Sequence, residues 1–403
     1  MVKKILFGIL ATILFFVAVE SILILIDYEG VSEAELKATA GFPENSYVHR
    51  RDRIYGDWFI TDDNIAKSNP YLLSRGFHLQ QFPVSTPSKR VFAIGGSTTF
   101  GSPFEHEEKG FPERLDKRLG EGWEVINAGV AGMDSSAFPK LTRELVSLDA
   151  DYLIIYSGNN EIRGRLIEAC TNPYRVGFER QFSRLRTVQL IREQIRRFHQ
   201  VGYQFDALAE RQQECLLRQV KIELANSTDS DTTERQDLFY NDVLQSFSVN
   251  IQKTIDIAKS KDLTVILVIP PINLQVAPEF SLPHSSLAES EHRKIEHLHR
   301  QKLWEDILQI DSTYAIANYE VGIKTSSSAH LWASVQRDYL TKRITPELQA
   351  VLVDICENNE ITCVNLQKII EERGITGFFT DFCHPTFETG VDLIVSELVP
   401  HLK

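Results

Sequence analysis

The sequence predicts an α/β fold built on a parallel sheet, because short apolar strands alternate with amphipathic helices over much of the chain. Two runs carry this prediction, RVFAIG at 90–95 and DYLIIYSG at 151–158. Both are almost continuously apolar, which is typical of strands covered on both faces. Between them, Phe111, Leu115 and Leu119 recur at the spacing of one helix face, within a predicted helix over 109–119.

The remaining elements continue the alternation in order. We predict a second strand at WEVINAG, a fourth at TVILVIPP and a fifth at ITCVNL, in addition to the two runs above. The predicted helices between and after them cover 136–148, 243–260, 345–356 and 385–402. The chain therefore predicts a five-stranded sheet within one domain over 90–403.

Two segments interrupt the alternation and are predicted to be helical insertions. The first, at about 162–233, is rich in Arg, Gln and Glu at helical spacing. The second, at about 288–343, contains LWEDILQIDSTYAIANYEVG, which resembles one tetratricopeptide repeat. One repeat cannot bury its own apolar face, so we expect it to dock on the domain, where it offers a surface for a protein partner.

The N-terminus predicts a membrane anchor. Lys3 and Lys4 precede an apolar run over 5–26, which matches the roughly 20 residues of one bilayer crossing. A cleaved signal peptide is the alternative, but the run is long for one. We predict an uncleaved transmembrane helix at 1–27 and a stalk at 28–89.

Lysines before the run and acidic residues after it predict a cytoplasmic N-terminus. The expected location is the inner membrane, as a single-pass protein with a periplasmic or extracellular domain. Five cysteines leave the disulfides open: Cys170 with Cys215, and Cys356 with Cys363, are candidate pairs, while Cys383 is left over. Five reduced thiols are the alternative.

The amino-acid composition and the net charge exclude some classes of function. The chain has 403 residues, 43% of them hydrophobic and 24% charged, which predicts a globular protein. Its formal net charge is −12, and it has no basic stripe. We therefore expect no nucleic-acid partner, because such binding needs clustered cations to displace counterions.

Polar motifs follow the predicted strands, where ligands bind in open parallel sheets. Gly-Gly-Ser-Thr-Thr-Phe-Gly at 95–101 follows the first strand and predicts an exposed hydroxyl on a tight turn. Asn-Ala-Gly-Val-Ala-Gly at 127–132 and Gly-Asn-Asn-Glu at 158–161 follow the next two and supply neutral hydrogen-bond donors. Asp381 precedes His384 by three positions, so its carboxylate can orient the imidazole as a base.

In this order the motifs resemble the blocks of the SGNH (GDSL-like) hydrolase and acyltransferase superfamily. Gly95, Ser97 and Gly101 match its first block; the other matches are Gly132, Gly158, Asn160, Glu161, Asp381 and His384. The resemblance implies a flavodoxin-like three-layer sandwich and a Ser97, Asp381 and His384 catalytic triad. It also implies an oxyanion hole formed by Ser97, Gly132 and Asn160, although Gly129 is a rival for the glycine. The resemblance does not cover the anchor, the stalk or the first insertion.

One position departs from the pattern of many relatives. They have Asp before the serine, where this chain has Gly96. Membrane-anchored relatives with a Gly-Gly-Ser-Thr-Thr loop share the change, and the chain is similar to that subgroup. The departure makes simple lipase activity a less secure expectation.

The expected function is a serine esterase that hydrolyses O-acyl esters, above all O-acetyl esters, of a small molecule or carbohydrate through an acyl-enzyme. The alternatives are an O-acetyltransferase acting on envelope polysaccharide and a non-catalytic assembly or binding subunit. Arg337 and Arg343 are candidates for binding an anionic substrate, against the alternative of surface charge. We expect no cofactor and no metal, since the spacing of His284, His292, His297 and His299 matches no ligand signature.

Overall fold

The computed structural model describes most of the predicted domain and short parts of the segment before it. The described residues are 2–25, 49–51, 58–61, 81–83, 88–101, 110–129, 132–162, 187, 238–278, 281–284, 286–338 and 341–403. The predicted first insertion lies outside the described residues, except for 162 and 187.

Strands form two sheets in the described residues. In chain order they are β1 (His49–Arg51), β2 (Trp58–Thr61), β3 (Gln81–Pro83), β4 (Lys89–Gly95), β5 (Trp123–Gly129), β6 (Tyr152–Tyr156), β7 (Thr264–Ile269) and β8 (Thr362–Asn365). The larger sheet has the order β5-β4-β6-β7-β8, and all its pairs are parallel. This order is the flavodoxin-like one, so the predicted five-stranded parallel sheet is confirmed.

Helices cover both faces of this sheet. The described helices are α1 (Val2–Leu25), α2 (Ser97–Phe100), α3 (Phe111–Leu119), α4 (Phe138–Leu145), α5 (Leu238–Lys259), α6 (Glu289–Arg300), α7 (Trp304–Ile310), α8 (Ala315–Thr325), α9 (Ser328–Gln336), α10 (Pro346–Asn359), α11 (Leu366–Arg373) and α12 (Asp392–Leu402). Helices α6 to α9 lie within the predicted second insertion at about 288–343.

The alternation of side chains along β4 shows how the two faces are filled. Phe92 and Ile94 belong to a buried cluster that includes residues of α4, α5 and α10. Val91 and Ala93 belong to the cluster on the other face, with residues of α3 and α12. Because successive side chains of a strand point to opposite faces, one short apolar run supports both layers of the sandwich.

The segment before the domain contains a feature that the sequence did not predict. Strands β1, β2 and β3 form an antiparallel sheet within the predicted stalk. Strands of three or four residues are too short for a clear alternation of apolar side chains, so their pairing leaves little signal in the sequence. Within the residues described, no helix is long and apolar enough to cross a membrane. The transmembrane helix at 1–27 is therefore not shown and stays a prediction.

A disulfide connects the end of one helix to the edge of the sheet. Cys356 of α10 is bonded to Cys363 of β8, with 6.1 Å between their Cα atoms. This was one of the two candidate pairs. The other pair, Cys170 and Cys215, lies outside the described residues, and Cys383 is free and buried.

Removing this disulfide should destabilise the protein measurably. The cysteines are seven positions apart, and a loop of that size implies a loss of about 2 kcal/mol through greater freedom of the unfolded chain. We expect that loss in the free energy of unfolding of Cys356→Ala/Cys363→Ala, measured by urea denaturation of the full-length protein. Either single variant should lose as much as the double variant, since each breaks the same bond. An unchanged free energy would contradict the prediction.

Candidate active site

Ser97 lies just after the end of β4, an interior strand of the larger sheet. The strand ends at Gly95, and Ser97 begins the four-residue helix α2. Thr98 and Thr99 of this helix are buried, while Ser97 is half-buried and lines a cleft. The hydroxyl therefore stands at the carboxyl edge of the sheet, on an element fixed by its buried neighbours.

The chain brings His384 and Asp381 to this hydroxyl. His384 Nε2 lies 2.7 Å from Ser97 Oγ, and His384 Nδ1 lies 2.7 Å from Asp381 Oδ2. The histidine is 8% exposed, so its ring is held within the protein. The three predicted triad residues thus form one continuous line of hydrogen bonds.

The Asp381 carboxylate is held in its ionised form. Partial burial opposes ionisation, but hydrogen bonds from the His384 ring and from the N–H groups of His384 and Cys383 outweigh it. The net effect lowers the pKa of Asp381 below its ordinary value. An ionised Asp381 fixes the proton on Nδ1 of the ring and leaves Nε2 free to accept one.

Asn160 reaches the same cleft from the loop after β6. Its Nδ2 donates to the carbonyl oxygen of Met133 at 3.0 Å, which leaves the second N–H of the amide for a ligand. A Cβ at position 96 would lie 2.4 Å from Asn160 Nδ2. The glycine before the serine therefore makes room for this amide.

The structure distinguishes the two glycines that compete for the oxyanion hole. The Gly129 N–H already donates to Asn127 Oδ1 at 2.9 Å, and a Cβ there would meet the backbone N of Phe100 at 2.6 Å. Gly132 has a φ of 82°, which favours glycine, and open space around its Cα. Gly132 is thus the better candidate, because the N–H of Gly129 is already used.

Glu161 joins the two loops that carry the candidate oxyanion donors. Its buried carboxylate accepts hydrogen bonds from Ser135 N at 3.1 Å, Ser135 Oγ at 2.8 Å and Ser157 Oγ at 3.1 Å. Burial, the largest cause, and the nearby Asp134 carboxylate raise the pKa of Glu161, and the serine hydrogen bonds lower it; the net result is a pKa of about 8. The sequence matched Glu161 to a family motif but did not show this connecting role.

Two other titratable groups close to the triad, Tyr156 and Cys383, have raised pKa values and are neutral near pH 7. Burial raises the pKa of Tyr156, and Cys383 raises it further. Burial, with the nearby Asp381 carboxylate, also raises the pKa of the Cys383 thiol well above its usual range. The cleft is lined by residues 96–98, 133 and 156–160.

Arg337 and Arg343 require a correction. The sequence favoured surface charge and kept an anionic substrate as the alternative, but the two side chains are only 3% and 2% exposed. Arg343 donates to the carbonyl oxygens of Asn273 and Val276 and contacts Asp338. Neither arginine lines the cleft beside Ser97 in the described residues. Both are interior residues, and the buried cation of Arg343 is tolerated because carbonyl oxygens and a carboxylate surround it.

Asn273 is a further residue at the site that the sequence did not single out. Its Nδ2 donates to the carbonyl oxygen of Asp381 at 2.6 Å. The only available signal was its position just after β7, at the functional edge of the sheet.

Among the described residues, one group has side chains close enough together to hold a metal ion. It consists of Asp381, Cys383 and His384, whose possible ligand atoms lie within 4.8 Å of one another. The His384 ring is hydrogen-bonded to Asp381 and Ser97, so this grouping coincides with the triad geometry.

Comparisons with known proteins give structural matches alone. No family model and no curated protein matches the sequence. Among solved structures, the chain is similar to a GDSL-like lipase from Bacteroides thetaiotaomicron, at 14% identity and a TM-score of 0.34, covering 78% of this chain and 87% of that one. It is also similar to an acetyl xylan esterase, at 11% identity and a TM-score of 0.38, covering 78% and 100%. A variant of a Geobacillus acetyl-xylooligosaccharide esterase matches at 11% identity and a TM-score of 0.38, covering 79% and 96%. Similarities at this level assign no function.

The Glu161 carboxyl should make stability depend on pH. The unfolded chain loses this proton near the ordinary value of 4.5 and the folded chain near 8, so between these pH values the folded state holds the extra proton. Raising the pH through this window therefore favours unfolding. We expect the free energy of unfolding to fall by on the order of 3 kcal/mol relative to Glu161→Gln, which imitates the protonated carboxyl.

Asp134→Asn provides a matched control for this measurement. Removing the Asp134 charge should lower the pKa of Glu161 and so reduce the loss of stability. The measurement is urea denaturation of the three full-length proteins from pH 5 to 9. Parallel curves for wild type and Glu161→Gln would refute the role of Glu161.

Proposed function

We propose that this protein is a serine ester hydrolase of the SGNH type that cleaves O-acyl esters, in particular O-acetyl esters, through an acyl-enzyme. The observation that carries the proposal is the line of hydrogen bonds from Ser97 Oγ through the His384 ring to Asp381. A hydroxyl, an imidazole and an ionised carboxylate in this arrangement are the working parts of a serine nucleophile.

In the proposed reaction, Ser97 Oγ attacks the ester carbonyl while His384 Nε2 accepts the hydroxyl proton. The carbonyl oxygen becomes an oxyanion, which would accept hydrogen bonds from the Ser97 N–H, the Gly132 N–H and the Asn160 amide. His384 then donates its proton to the leaving alcohol, and the acyl group stays on Ser97. Water then attacks the acyl-enzyme while His384 accepts one of its protons. When the second tetrahedral intermediate collapses, His384 returns this proton to Ser97 Oγ and the carboxylic acid is released.

A neutral amide is suited to the oxyanion site because it donates a hydrogen bond without titrating. The contact between Asn160 Nδ2 and the Met133 carbonyl oxygen supports this role, because it fixes the amide before substrate arrives. Fixed donors need no rearrangement as negative charge develops, and losing one typically costs about 2.7–4 kcal/mol of transition-state stabilisation.

The proposed location is the outer side of the inner membrane, with residues 1–27 as the anchor. The lysines before the apolar run and the acidic residues after it support this orientation. The disulfide between Cys356 and Cys363 also supports it, since disulfides persist mainly in oxidising compartments. Acylated envelope carbohydrate is the substrate class within reach of a domain held there.

Replacing the nucleophile or the base tests the proposal. Ser97→Ala and His384→Ala should each lower the turnover of p-nitrophenyl acetate by at least about a thousandfold. Thermal unfolding should show that both variants remain folded, and a fluorophosphonate probe should label wild type but not Ser97→Ala. Equal turnover by wild type and Ser97→Ala would eliminate the assignment.

The acyl acceptor requires a separate experiment. If water is the acceptor, release of acetate from p-nitrophenyl acetate should be unaffected by added xylo-oligosaccharide or chito-oligosaccharide. Mass spectrometry should then detect no acetylated sugar, because a sugar hydroxyl reaches the acyl-enzyme in competition with water only if it is positioned there. Acetylated oligosaccharide accumulating at the expense of acetate would instead identify an O-acetyltransferase.

A further inference from the structure

The backbone at Asp381 is held by a side chain from another part of the sheet. Asn273, in the loop after β7, is 7% exposed, and its Nδ2 donates to the Asp381 carbonyl oxygen at 2.6 Å. The other end of the amide is also engaged, because Asn273 Oδ1 accepts from Gln275 N at 3.0 Å. With the oxygen fixed by Gln275, the NH₂ group is directed at Asp381.

Arg343 in turn holds the loop that carries Asn273. Its guanidinium donates to the Asn273 carbonyl oxygen and, at 2.9 Å, to that of Val276. The same guanidinium lies 3.3 Å from Asp338 Oδ2, and both side chains are nearly fully buried. A planar guanidinium with several fixed donors restrains such a turn better than a flexible ammonium group would.

The residue after Arg343 contacts the other loop of the site. The Ile344 N–H donates to Asn159 Oδ1 at 2.9 Å, next to the candidate oxyanion residue Asn160. The Ile344 side chain packs against Gly158, where a Cβ would lie 2.4 Å from Ile344 Cδ1. The end of the helical insertion therefore touches both the loop after β6 and the loop after β7.

We propose that Asn273, held by Arg343, is a positioning residue for Asp381. The inference rests on the proposed function of the triad. Asp381 accepts from the His384 ring at 2.7 Å, so a shift of its backbone moves the carboxylate and changes the orientation of the ring. Asn273 fixes that backbone from outside the short segment containing Asp381 and His384. Its effect on the reaction is thus indirect and passes through Asp381.

The first test measures turnover of p-nitrophenyl acetate by full-length Asn273→Ala. Active sites are counted by fluorophosphonate titration, so that kcat refers to folded enzyme alone. We expect kcat to fall about 10- to 100-fold, since small displacements of catalytic groups have effects of that size. KM should stay unchanged, because Asn273 is placed to act on catalysis rather than on substrate binding. An unchanged kcat would overturn the proposal.

Gln349→Ala is the matched control. Gln349 Nε2 donates to the Pro270 carbonyl oxygen at 2.6 Å, so it stabilises the same loop without contacting Asp381. If Asn273 only stabilises the loop, both variants should show the same kcat at equal loss of thermal stability.

Should Asn273→Ala fail to fold, Asn273→Asp keeps the size and the acceptor for Gln275 and removes the donor to Asp381. It should lower kcat at least tenfold, and wild-type turnover would count against the proposal.

A double-mutant cycle tests whether the effect passes through Asp381. The rate of Ser97 labelling by the fluorophosphonate is measured for Asn273→Ala in wild-type and Asp381→Ala backgrounds. We expect a large decrease in the first and none in the second, because the group being positioned is absent. Equal fold-decreases would overturn the proposal. These outcomes differ from failure of the proposed function, in which Ser97→Ala would match the wild type.

Discussion

The hydrogen bond between His384 Nε2 and Ser97 Oγ joins residues 287 positions apart, and the rest of the site depends on that contact. Ser97 is fixed by the end of β4, whereas His384 belongs to the loop that enters α12. Ser97 follows the carboxyl end of β4, and the loop before α12 brings His384 to that same edge of the sheet. The order β5-β4-β6-β7-β8 puts β4 between β5 and β6, so the loops with Gly132 and Asn160 flank the serine.

Buried polar groups stabilise the loops around Ser97 through hydrogen bonds. Glu161 binds Ser135 and Ser157 and so connects the loops after β5 and β6. Arg343 and Asn273 connect the loop after β7 to the segment that contains Asp381, since Arg343 donates to the Asn273 carbonyl oxygen and Asn273 donates to that of Asp381. When such a buried polar group loses a hydrogen-bond partner, the folded protein is destabilised. The geometry of the site is therefore tied to the stability of the domain, and the pKa of Glu161 makes part of that stability depend on pH.

The helical insertion contributes to the site as well as to the surface. Its helices α6 to α8 have a small apolar cluster of their own, including Ile295, Ile307 and Tyr314. Its last residues, Arg343 and Ile344, reach the loops beside the triad. The insertion is thus connected to the loops beside Ser97 through a few buried contacts.

Local patterns in the sequence determined the elements of the larger sheet and predicted three residues that meet at its edge. The apolar runs predicted β4 to β8, since a strand covered on both faces needs apolar side chains at nearly every position. The motifs predicted the meeting of Ser97, Asp381 and His384, because each follows a strand or precedes a helix at the same edge. Tertiary structure decided the rest. Whether Arg343 is buried depends on partners distant in sequence, and a single asparagine such as Asn273 carries no periodic signal. These contacts are non-local, so only the folded chain, which brings the partners together, could reveal them.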